Sequence, residues 1–66
     1  MQIALNGVTR ECAPAITIAT LLADAGYAER RVAVEVNREI VPRSLHDGFA
    51  LSPGDQVEII HAVGGG

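Results

Sequence analysis

The chain has 66 residues, 48% of them hydrophobic, and 8 acidic against 5 basic residues give it a net charge of −3. That length holds one domain with a small aliphatic core and leaves no room for a second. An acidic balance with no lysine argues against a nucleic-acid backbone as partner, which needs clustered cations, and no apolar run approaches the ~20 residues that span a bilayer.

Met1, Ile3 and Leu5 alternate with polar or small residues, the period of a half-buried strand. Asn6-Gly7 follows as a two-residue hairpin signal, because both residue types tolerate positive φ, so Val8 to Cys12 is expected to return antiparallel. Pro14 breaks the pattern. Thr17 then has the chemistry of a helix N-cap, and Ile18, Leu21, Leu22 and Ala25 recur at i, i+3, i+4 and i+7. Gly26 supplies the stop. A helix over 18–25 with one apolar stripe has to lie across a sheet.

Val32, Val34 and Val36 mark a β-branched strand, turned at Asn37-Arg38-Glu39, with Ile40-Val41 as a short strand before Pro42 at a margin. Residues 44–51 lack a period and read as a loop with a short helical turn, Leu45 and Phe49 plugging the end of the core. Ser52-Pro53-Gly54-Asp55 is a tight turn. A last strand, Gln56 to Ala62, runs into Gly64-Gly65-Gly66.

The expected fold is therefore α+β, one main helix on a mixed four- to five-stranded sheet. Residues 1–63 form the domain and 64–66 a flexible glycine tail. Three glycines have no Cβ to pack and make a slender arm about 10 Å long when extended, able to carry a Gly66 carboxylate into another protein's pocket. Parity along the last strand puts Ile60 and Ala62 on the face away from the helix, and Ala4 shares that face. Ala4, Ile60, Ala62 and Val63 are the candidate partner surface beside the tail.

The other reactive side chains carry less. His46 and His61 lie apart without ligand spacing and are expected as surface or partly packed residues, with no metal site. Cys12 is the single cysteine, so an intrachain disulfide is excluded and a reducing compartment, the cytoplasm, is expected for a soluble chain.

The element order resembles the β-grasp fold of ubiquitin-like proteins. Four stretches carry a closer likeness: Ile3-Ala4-Leu5-Asn6-Gly7, Thr17-Ile18-Ala19-Thr20-Leu21-Leu22, the run from Val32 to Arg43, and Gly54-Asp55-Gln56-Val57-Glu58-Ile59-Ile60. Together they resemble the ThiS family of sulfur carriers in thiamine biosynthesis. That resemblance implies a protein substrate, not an enzyme: a ThiF-like adenylyltransferase uses ATP to join AMP to the Gly66 carboxylate. A persulfide sulfur then displaces AMP, and the resulting thiocarboxylate feeds a ThiG-like thiazole synthase. Gly65 and Gly64 give the carboxylate access, no cofactor is bound by the carrier, and the free protein is expected to be a monomer. Three alternatives stay open: a MoaD-like small subunit of molybdopterin synthase, a non-covalent β-grasp binding module, and ubiquitin-style conjugation of the activated glycine to a lysine amine. His61-Ala62-Val63, where MoaD proteins tend to carry prolines, favours the thiamine branch.

Overall fold

The computed structural model describes residues 1–28 and 30–61. Five strands, β1 (Gln2–Leu5), β2 (Val8–Glu11), β3 (Val32–Val36), β4 (Glu39–Val41) and β5 (Gln56–His61), form one sheet in the order β2-β1-β5-β3-β4. Only the β1–β5 pair is parallel; the other three pairs are antiparallel. Among the described residues there is one α-helix, α1 (Ile18–Asp24), which supplies the second layer. The mixed sheet, the helix and the strand order along the chain all match the expectation from periodicity.

Local chemistry explains the turns. Asn6 and Gly7 have φ of 51° and 83°, the left-handed pair of a type I′ hairpin. Asn37 and Arg38 repeat that geometry at 51° and 70°, so the second hairpin turns on two residues and Glu39 already belongs to β4. Thr17 caps the helix, its hydroxyl oxygen accepting from the Thr20 amide at 3.2 Å. At the other end Gly26, at φ 91°, donates to Ala23 O at 3.2 Å while the Tyr27 amide donates to Leu22 O at 2.7 Å. These are the paired bonds of a Schellman stop, which also swings Tyr27 back towards the sheet.

The core lies between helix and sheet. Ile18, Leu21 and Leu22 face Ile3, Val34, Val36, Val57 and Ile59, with Ile16, Val41 and Leu51 closing the margins. Residues 46–51 are stitched to the start of the helix: Ile18 N donates to Phe49 O, Ala19 N to His46 O and Leu51 N to Ile16 O.

Two expectations for this segment are corrected. Leu45 does not plug the core; it is 54% exposed, whereas His46 is only 6% exposed. Arg43–Leu45 is a 3₁₀ turn, in which successive side chains diverge by about 120°, so turning Leu45 outward brings His46 in. The imidazole is tolerated there because Nε2–H donates to the Val41 carbonyl at 3.0 Å. Phe49 is half-buried against the core, as expected.

Candidate functional site: the exit of the last strand

β5 is the central strand, and its two edges are held unequally. Along β3 the pairing is continuous, from Val36 opposite Val57 through Ala33 opposite Ile60 to Val32 opposite His61. Along β1 only Ala4 opposite Gln56 and Leu5 opposite Val57 pair before the chain turns away. Asn6 bridges the gap, its amide donating to Val57 O at 2.9 Å and its side-chain Oδ1 accepting from the Ile59 amide at 2.8 Å. One asparagine thus serves both as the hairpin corner and as a substitute for the missing ladder residue.

Replacing Asn6 with alanine removes that acceptor and puts at φ 51° a residue that tolerates the left-handed region less well than asparagine. The expected loss is about 1–3 kcal/mol. Amide hydrogen exchange checks the cause: the Ile59 amide is expected to lose more protection than the Val57 amide, and equal loss at both would refute the bridging role.

The start of β5 is clamped as firmly. Asp55 accepts from Ser52 N at 2.8 Å and from Asn37 Nδ2 at 3.1 Å, and Asn37 Oδ1 accepts from Gln56 N at 3.0 Å. At the far end the Tyr27 and His61 rings meet with centroids 5.2 Å apart and planes at 57°, a tilted aromatic contact. The last described residue of β5 is therefore tied both to β3 and to the turn that ends the helix.

The sheet's outer face near this exit is a mixture of apolar and charged groups. Ile60 is 43% exposed and lies directly opposite Ala33. A shallow cavity of about 270 Å³ is lined there by Arg31, Val32, Ala33, Arg43, Ile60 and His61. On the helix side a neighbouring cavity of about 280 Å³ includes Tyr27, Arg30, Val32, Arg43, His46 and Asp47 in its lining.

The candidate surface read from parity is only partly assembled. Ala4 does share the outer face, but it pairs with Gln56, four residues before Ile60, a separation of about 13 Å along the strand. Ala4 and Ile60 do not form one platform, because the parallel register sets β1 against the start of β5. Ala33 takes the place beside Ile60. Ala62, Val63, Gly64, Gly65 and Gly66 lie outside the described residues. Among the described residues no group of three or more His, Cys, Asp or Glu side chains gathers to hold a metal ion. The half-buried Cys12 follows β2, a strand separated from β5 by β1.

Comparison with known proteins agrees with this geometry. The model of the ThiS family matches residues 3–66. A thiazole synthase of Paramagnetospirillum magneticum is 41% identical over 66 residues, which are all of this chain but 20% of that protein. The chain thus spans about one fifth of that relative's length, and the same share of a second thiazole synthase, from Magnetococcus marinus, at 38% identity. The sulfur carrier protein ThiS of Escherichia coli is 30% identical with both chains covered in full. The crystal structure of a thiamine biosynthesis protein (ThiS) from Geobacter metallireducens superposes with a TM-score of 0.87 at 30% identity, again over both whole chains. The sheet and helix described above thus have the β-grasp topology.

Proposed function

The chain belongs to the ThiS family, and from that premise we propose that it is a sulfur carrier whose Gly66 carboxylate is adenylated and then converted to a thiocarboxylate. The observation that carries this reading is a family match that continues through the glycines to residue 66. A carboxylate at neutral pH is a poor electrophile, so its oxygen first attacks the α-phosphorus of ATP on a ThiF-like adenylyltransferase and releases pyrophosphate. A persulfide's terminal sulfur then attacks the acyl carbon, AMP leaves, and an acyl disulfide forms. A second thiol cleaves the S–S bond, leaving the thiocarboxylate on Gly66 and a disulfide on the donor.

The recipient is a thiazole synthase in this proposal. Its support is that a ThiS-family segment makes up one fifth of two proteins named thiazole synthase. A domain that acts on the synthase from within one polypeptide is equivalent to a separate carrier held at high effective concentration. The same likeness favours thiamine over molybdopterin as the branch served. The single cysteine, Cys12, suits a reducing compartment, and the activation step consumes ATP, so the cytoplasm is the proposed location.

The glycines answer a geometric demand. Activation needs the carboxylate in line with the α-phosphate inside a narrow channel, and a Cβ at Gly65 or Gly66 obstructs either the backbone approach or the attacking sulfur. Gly64 extends the reach. The chemistry requires a polypeptide that ends at Gly66, which intact-mass analysis of the protein from its own cell reports first. After incubation with adenylyltransferase, ATP and a persulfide source the expected gain is about 16 Da, sulfur in place of oxygen. An unchanged mass under conditions that load a known carrier refutes the proposal.

A further inference from the structure

We propose that the cleft between Arg31 and Arg43, floored by Ala33 and Ile60, is where the adenylylating enzyme grips the folded body, and that the gripping element is a carboxylate-bearing surface segment of that enzyme. This rests on the carrier reading above and adds the chemistry of the contact.

Charge is unevenly distributed over the domain. The chain is acidic overall and has five arginines, yet Arg30, Arg31 and Arg43 line two adjoining cavities that share Arg43 and Val32, and Asp47, on the helix side, is the one carboxylate in either lining. Like charges gathered on one side of a small domain repel one another and gain nothing for the fold. Among the described residues the ion pair found is between the Met1 amine and Glu11, on another part of the sheet. The guanidinium groups of Arg31 and Arg43 therefore stand beside the cleft without a carboxylate of the described residues against them.

Shape and chemistry then select the occupant. Guanidinium groups bind carboxylates in a bidentate fork, and their methylene stems cover apolar ground. The floor beneath them is Ala33 and the exposed Ile60, so an acidic side chain flanked by an apolar one fits the cleft. A continuous polyanion does not fit. Two residues along each strand Glu35 sits directly opposite Glu58 on the same face, and two facing carboxylates repel a nucleic-acid backbone laid along the sheet.

The cleft also has a fixed relation to the reacting group. His61 lines it, and five residues separate His61 from the end of Gly66, a reach of at most about 17 Å. The acidic segment of the enzyme then lies within roughly that distance of its ATP α-phosphate site.

ATP–pyrophosphate exchange by the purified adenylyltransferase tests the site. The double variant Arg31→Glu/Arg43→Glu is expected to raise KM for the carrier at least about tenfold with kcat within about twofold, and to flatten the fall of kcat/KM with salt. The neutral pair Arg31→Gln/Arg43→Gln is expected to lie between it and the unaltered chain. Arg38→Glu, in the turn at the opposite end of β3, is expected to change nothing. Thermal melts of each variant by circular dichroism verify that the fold persists; the neutral pair decides if the charge-reversed one unfolds. An unchanged KM in the folded variants, or an equal rise in Arg38→Glu, overturns the cleft while leaving the carrier reading intact. Competition by a short oligonucleotide that displaces the carrier overturns the choice of a carboxylate partner. Absence of exchange with the unaltered chain overturns the carrier reading and this site with it.

Discussion

Removal of Gly66 is expected to abolish adenylation and sulfur loading while leaving the melting temperature of the body within about 2 °C of its original value. The two halves of this result have separate causes. The buried core runs from Ile3 to Ile59, and the hydrogen bonds that hold β5 reach Ile59 through Asn6 and His61 through the pairing with Val32. Deleting the final residue removes none of them. A chain ending at Gly65 still carries a carboxylate, but one residue short, which withdraws it by about 3.5 Å from the α-phosphate. Misplacement by 1 Å already costs on the order of a hundredfold in rate, so no detectable product is expected on the time scale of full loading. Intact mass reads the chemistry and calorimetry reads the fold. Loading of the shortened chain at a normal rate would show that the reacting carboxylate is not held to position, and a fall of more than about 5 °C would show that the end of the chain packs against the body.

Leu21→Ala is expected to have the largest effect on the fold itself. Leu21 is 0% exposed and sits in the middle of the one helix, among Ile18 and Leu22 and over Val34 and Val57. Truncating a fully buried leucine costs about 2.7–5 kcal/mol, the lost transfer energy plus the cavity left behind. A domain of this size has a total stability of only about 5 kcal/mol. The variant is therefore expected to keep only about 0–2.3 kcal/mol, with a urea midpoint at less than about half its original value, and loading is expected to fall with the folded fraction. Leu45→Ala is the matched control, since the same truncation at a 54% exposed site is expected to change stability by no more than about 0.5 kcal/mol. A loss below about 1 kcal/mol at Leu21 would refute the helix-on-sheet core.

Much of this architecture is legible locally because each signal and its partner lie within a few residues. Asn6-Gly7 makes its hairpin, Thr17 caps its own helix through Thr20, and Gly26 ends it through bonds to Leu22 and Ala23. The alternation of Val32, Val34 and Val36 is also local, and Val34 and Val36 are buried while Val32 sits half-buried at the strand's entrance.

The candidate site divides along the same line. From the sequence alone come one helix over a mixed sheet, the parity that turns Ile60 away from the helix, and a final strand leading to Gly64, Gly65 and Gly66, because backbone periodicity and the lack of a Cβ are properties of consecutive residues. Tertiary structure alone decides that β5 lies between β1 and β3, that Ala33 and not Ala4 stands beside Ile60, and that Arg31 and Arg43 share a cleft. It likewise decides that Asn6 holds Ile59 across 53 residues and that Tyr27 meets His61. Strand order and register are settled by which buried faces can be satisfied together over the whole sheet, and a shift of one residue in pairing moves every neighbour without altering any local pattern.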